Sequence, residues 1–346
     1  VSHHPLLDLP PLTAGAFAAT ERRMAELLGT ANDVVITQGE ALLPLEGAIR
    51  GAARPGSTAL NVVTGPYGRT FGDWLRDAGA QVVELSVPFD RAVTADQVAR
   101  ALERHRGIDL VSLVHAEAAT GTSNPVAGIG PVVRAHGALL MLDAVASVAA
   151  EPLRTDAWGV DLCVVGAQKA MGGPAGVSAV AVSERAWRRL ADNPAAPRRS
   201  YLSLLDWKER WIDSGRRALP HAPAQLEMLA LAACLDRIEA DGLDAVIARH
   251  RGAADRAREG AFDLGLSPYV TDARDAAPVA TTVRTPQGIH AGALAAAALT
   301  ADPEVPIAAG AGPLAADLLR VDHYGRWADP AVVDRALAAL GAALKR

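Results

Sequence analysis

Asp161-Leu162-Cys163-Val164-Val165-Gly166-Ala167-Gln168-Lys169-Ala170-Met171-Gly172-Gly173-Pro174 is an apolar run that ends in glycine and then sets a lysine in a turn rich in glycine and proline. An earlier run, Ala138-Leu139-Leu140-Met141-Leu142-Asp143, has the same form and ends in an aspartate. Neither run alternates apolar with polar, which is the pattern of strands covered on both faces. Working outwards, strands are expected at Asp33–Thr37, Thr58–Val63, Gln81–Leu85, Asp109–His115 and Val177–Val182. Helical patterns separate them at Glu40–Gly51, Phe71–Ala78, Ala95–Arg106 and Pro125–Gly137. Such alternation predicts an α/β fold with a mostly parallel sheet between layers of helices. Right-handed crossovers bring the C-terminal ends of parallel strands to one edge, where open α/β sheets bind ligands. Asp143 and Lys169 both fall at that edge.

Beyond Trp187 the pattern changes. Asp192–Arg199 is a loop rich in proline and arginine, and Gln225–Leu264 reads as helix. Short strands are expected at Val279–Arg284, Glu304–Ala309 and Ala316–Asp322, with a last helix at Pro330–Lys345. The expected division is a large domain over 1–230 and a smaller C-terminal α+β domain over 231–346. Half of the 346 residues are apolar, enough for a sizeable core, and the formal charge is 34 − 39 = −5. No basic block marks a nucleic-acid partner. The alanine-rich stretch near 291–301 is too short to span a membrane. Cys163 and Cys234 read as buried thiols, and no secretory pattern opens the sequence, so a cytoplasmic setting is expected.

An acid and a lysine at one sheet edge suit pyridoxal chemistry: the amine forms an imine with the aldehyde, and the carboxylate keeps the pyridine nitrogen protonated. The same pair also suits an ordinary salt bridge at a loop edge. Met141-Leu142-Asp143-Ala144-Val145-Ala146-Ser147 followed by Gly166-Ala167-Gln168-Lys169-Ala170-Met171-Gly172-Gly173-Pro174 resembles the class V aminotransferases of fold type I, over essentially the whole chain. The resemblance implies that Lys169 holds the aldehyde and that Asp143 partners the ring nitrogen. It implies further that Val145 and Tyr67 cover the two ring faces and that Gln168 lies beside the cofactor. Arg320, in Leu318-Leu319-Arg320-Val321-Asp322-His323, would grip the substrate α-carboxylate with its planar fork.

Gln38-Gly39-Glu40-Ala41-Leu42-Leu43-Pro44 and Gly65-Pro66-Tyr67-Gly68-Arg69-Thr70-Phe71-Gly72 are closer to the pyridoxamine–pyruvate branch of the class. That likeness implies a branch that takes unphosphorylated pyridoxamine and pyridoxal as substrates instead of retaining pyridoxal 5'-phosphate. Glu40 agrees with it. In the wider class this turn, before a helix N-terminus, holds the cofactor phosphate. A carboxylate about 4 Å from a phosphate costs on the order of 4 kcal/mol at an effective dielectric near 20. The other reading of Glu40 is that it complements the helix dipole and does nothing more.

Other positions depart from the class. Ala222 stands for a phosphate-binding threonine, Ala118 for a hydroxyl residue near the ring, and Ala311 for a second carboxylate-binding arginine. The expected activity is amino transfer between pyridoxamine and a small 2-oxo acid such as pyruvate, in a homodimer as the class implies. A phosphate-retaining alanine– or serine–glyoxylate type, a lyase or decarboxylase, and a degenerate binding protein are the alternatives. His3 and His4 lack further ligands at metal-binding spacing. His115 reads as a satisfied edge histidine, and Trp207 and Trp211 as one helix face packed on a core or partner.

Overall fold

The computed structural model describes residues 4–310 and 312–345. The first half runs α1 (Ala14–Leu28), β1 (Asp33–Gln38), α2 (Leu42–Ala52), β2 (Thr58–Val63), α3 (Pro66–Asp77), β3 (Gln81–Ser86), α4 (Ala95–Arg104), β4 (Ile108–Val114), β5 (Ala116–Glu117), β6 (Thr122–Ser123), α5 (Val126–His136) and β7 (Leu139–Asp143). Then come β8 (Leu162–Gly166), β9 (Val177–Val182), α6 (Glu184–Ala191), α7 (Leu204–Trp207), α8 (Gln225–Asp241), α9 (Leu243–Asp263), β10 (Ala280–Arg284), α10 (Ala291–Ala301), β11 (Ile307–Ala309), β12 (Leu318–Asp322) and α11 (Pro330–Leu344).

Seven strands form one sheet in the order β1-β9-β8-β7-β4-β2-β3. β9 alone runs against the others, pairing antiparallel with both β1 and β8. The apolar runs are buried throughout: every residue of β7, β8 and β9 is buried. The chain therefore has the predicted α/β architecture. β10, β12 and β11 make a separate antiparallel sheet, with its own core that includes Val283, Leu294, Leu319 and Leu340.

Several details differ from the sequence reading. The first helix, α1, had no counterpart in it; Thr13 caps its start and Gly29, at φ 60°, ends it. The long helical stretch breaks at Gly242, whose φ of 83° an L side chain rarely adopts. Met228, Leu231, Leu235 and Ile238 of α8 and Val246 of α9 belong to the large core. Trp207 ends α7, whereas Trp211 lies in a π-helical turn over Lys208–Ile212. Both are buried against Phe17 of α1, with ring centroids 5.8 and 5.4 Å away. Among the described residues, no helix is long and apolar enough to cross a membrane. Both cysteines are free and buried.

Candidate active site

The reversal at β9 creates the seat of Lys169. Because β8 and β9 are adjacent, their connection is a hairpin loop whose ends are held by the Gly166–Ser178 pairing. Gly172 N donates to Lys169 O at 2.9 Å, and Gly173 N donates to Ala167 O at 2.7 Å. Gly172, at φ 68°, makes the turn possible. The turn after β12 meets this loop backbone to backbone. A Cβ on Gly325 would lie 2.9 Å from Lys169 O and 3.0 Å from the Gly172 Cα. A cavity of about 270 Å³ opens between them, lined by Gln168, Lys169, Arg237, Tyr324 and Arg326 among others.

Tyr67 stands over the amine: Lys169 Nζ is 5.4 Å from its ring centroid. Gly65 and Pro66 lead into α3 and set the tyrosine at its first turn. Burial raises the Tyr67 hydroxyl above its ordinary value, and the charges of Asp143, Glu117 and Glu40 raise it further, while Arg320 acts against them. One phenol thus senses four of the site's charged groups.

Asp143 ends β7, beside β8, and is buried. Its Oδ1 accepts from Val145 N at 2.9 Å. Burial pushes its carboxyl up to about 6, against the opposing pull of the Lys169 charge. Val145 is itself buried, and Ala118 lies in a small alanine cluster with Ala146 and Ala170.

Glu40 follows Gly39, whose φ is 112° and whose N–H donates to Gly176 O at 2.8 Å. Glu40 is exposed. Its Oε2 accepts from Leu42 N at 3.0 Å, so the carboxylate occupies a donor at the start of α2. Its Oε1 accepts from Gln168 Nε2 at 2.9 Å, leaving Gln168 Oε1 buried without a partner. Ala222 O accepts from Gln38 Nε2 close by.

Arg320 comes from the small sheet, on β12, and is paired with Asp322 at 2.6 Å. Ala311 and His3 lie outside the described residues. His115 departs from expectation. It is buried, its Nε2 lies 3.6 Å from Glu151 Oε2, and its Nδ1 has no partner. Burial holds its ring below the usual histidine range. It lines a different cavity from Lys169, together with Ser123 and Trp158.

Two further acids belong to the site. Glu117, on β5, is fully buried; it accepts from Gly68 N at 3.3 Å, and its Oε2 has no partner. Burial pushes its carboxyl up to about 8, with the Gly68 N–H, Asp143 and Lys169 as lesser influences. Asp322 is the other, and its burial also raises its carboxyl. Lys169 lowers all three buried acids, Glu117, Asp143 and Asp322. The signal for Asp322 was present: acids and bases two apart on a strand share a face. A lone glutamate after an apolar run gave no comparable signal for Glu117.

An amine beneath an aromatic face, among buried acids, with an arginine acting on the same tyrosine, suits a planar cationic heteroaromatic aldehyde and a carboxylate-bearing partner. The residues present therefore fit a pyridoxal-type group.

Comparison with known proteins gives this fit a family. The aminotransferase class-V model matches residues 9–317. A pyridoxamine–pyruvate transaminase from Mesorhizobium japonicum is 35% identical over 339 residues, spanning 98% of this chain and 86% of that one. The crystal structure of the pyridoxamine–pyruvate aminotransferase from Mesorhizobium loti superposes with a TM-score of 0.90 at 34% identity, covering 96% of this chain and 84% of that one. An alanine–glyoxylate aminotransferase from Nostoc sp. gives 0.89 at 29% identity, covering 97% and 90%. The chain belongs to the class-V aminotransferases, pyridoxal-dependent transaminases built on the type I fold.

Proposed function

We propose that this transaminase moves an amino group between unphosphorylated pyridoxamine and a small 2-oxo acid such as pyruvate, as a cytoplasmic homodimer. The observation that carries the reading is Glu40. Its carboxylate accepts from the Leu42 N–H at the start of α2, the kind of donor an anionic phosphate would use. A hydroxymethyl group could donate to that carboxylate, whereas a phosphate would be repelled. The similarity to the pyridoxamine–pyruvate transaminase of Mesorhizobium japonicum supports the same choice.

A bound pyridoxal ring supplies an aldehyde for amine exchange and an electron sink for the carbon that loses a proton. The chain's residues do the rest. Lys169 Nζ would hold the aldehyde and, when its amine is free, would carry the proton at the reacting carbon. Asp143, ionised above a value of about 6, keeps a negative charge beside the ring nitrogen. Tyr67 and Val145 would enclose the ring, with Gly39, Gln168 and Ala118 nearby. Arg320 meets the acid's carboxylate. We place the division between the two domains near Gly242, so that Lys169 and Arg320 come from opposite sides of it.

The test is turnover of pyridoxamine with pyruvate. Wild type should form pyridoxal and alanine, and Lys169→Ala should lose at least about a thousandfold in kcat/KM. A visible absorbance band that survives exhaustive dialysis would instead mean a retained, phosphorylated cofactor and would sink the free-substrate reading.

A further inference from the structure

The carboxylate anchor on β12 comes with its own carboxylate. Arg320 Nη2 donates to Asp322 Oδ2 at 3.1 Å, while Nε faces Oδ1 at 2.6 Å, off the hydrogen-bond axis. A guanidinium offers paired donors along its Nε–Nη2 side and across its Nη1–Nη2 end. Asp322 takes the side, leaving only the end for an incoming acid. The pair is also sheltered, with side-chain exposures of 22% for Arg320 and 8% for Asp322, so water screens their mutual charge weakly.

Two of the nearby cations are already shared with other acids. Lys169 acts on Asp322 from the β8–β9 loop, but it also serves Asp143 and Glu117. Arg326 and Arg335 line the cavity of about 660 Å³ beside Asp322. Arg335 is held by Asp302 and Glu304, and Arg326 lies over the Trp327 ring.

We infer that Asp322 is a specificity-determining residue that competes with the substrate carboxylate for Arg320. It makes the site a weak holder of small monocarboxylates and an unfavourable one for acids bearing a second carboxylate. The first carboxylate meets an arginine already half neutralised, and a second meets the buried acid Asp322. This rests on the reading of Arg320 as the carboxylate anchor.

Calorimetric titration with unreactive acids tests it on the whole protein. Acetate should bind Asp322→Asn on the order of tenfold more tightly than wild type, the scale of one partly sheltered charge contact. The KM for pyruvate should fall by a similar factor while kcat changes less. Succinate should bind wild type no more tightly than acetate, and should gain in Asp322→Asn. Acetate binding that is unchanged or weaker in Asp322→Asn, and in Asp322→Ser, would show that the acid merely orients the arginine. Succinate binding wild type far more tightly than acetate would overturn the inference without any variant. Arg320→Ala separates the two readings: if it binds acetate as well as wild type does, the anchor itself is misassigned; if it loses acetate while Asp322→Asn is neutral, only the role of Asp322 fails.

Discussion

Replacing Glu40 by serine removes a charge and a hydrogen-bond acceptor from one helix start. Two magnitudes follow from the geometry. Charges about 4 Å apart repel by about 1 kcal/mol in water and about 4 kcal/mol at an effective dielectric near 20. Glu40 is exposed, so the lower part of that range applies, about 1–2 kcal/mol. The substitution also frees the Leu42 N–H, now 3.0 Å from Glu40 Oε2, for a charge-assisted bond to phosphate worth about 1–2 kcal/mol. Together these amount to roughly 30- to 1000-fold tighter binding of pyridoxal phosphate. Pyridoxal itself should lose the acceptor for its hydroxymethyl group and bind a few-fold more weakly, by about 1 kcal/mol at most. The assay is a titration of stripped protein with each aldehyde, followed by visible absorbance. Added salt should narrow the difference in wild type, because an exposed charge is screened. If Glu40→Ser leaves the ratio of the two affinities where it was, the charge argument is wrong.

Two further perturbations probe the buried floor of the site. The folded value of Glu117, about 8, lies above its ordinary 4.5, so folding takes up a proton between the two. Stability from this group is complete below 4.5 and is lost as pH rises through about 8. Glu117→Gln keeps the shape and the acceptor for Gly68 but has no charge to bury. Its melting temperature should gain roughly 2–5 °C on wild type between about pH 6 and pH 9, and an offset that does not change with pH would count against the assignment. Gly65→Ala meets a different obstacle. At φ −177° any residue fits the backbone, but the new Cβ would lie 2.3 Å from the Glu117 Cδ. A denaturant melt should show a loss of roughly 1–3 kcal/mol, together with weaker aldehyde binding as Tyr67 is displaced; stability within about 0.5 kcal/mol of wild type would refute the contact.

Much of this was legible in the chain because buried parallel strands write themselves plainly. Thr58–Val63 and Val177–Val182 have the bounds read from their β-branched runs. Asp143 and Lys169 were visible because each closes such a run. The direction of β9 was not visible: an apolar strand reads alike in either sense, and only its short link to β8 hinted at a hairpin. α1 escaped because its alanines and charges form a weak stripe, although Thr13 and Gly29 bracket it as caps. The apolar pattern reads as helix only from Phe71, although α3 starts at Pro66, a first-turn position where proline is well tolerated. Glu117 is the instructive miss. Its role depends on burial and on the approach of Gly65 and Gly68 from a distant segment, which no local pattern encodes. Arg320 is legible from its motif, and Asp322, two residues on, shares its strand face.

The contact between Gly172 and Gly325 bears on how the two halves of the site are spaced. Both residues have left-handed backbones, and neither presents a side chain to the other. Each is also tethered: Gly325 N–H donates to His250 Nε2 at 3.1 Å, and Arg237 Nη2 donates to Gly172 O at 2.9 Å. Backbone contact therefore sets the distance between the carboxylate anchor and the amine, and a side chain added at Gly325 would lengthen it.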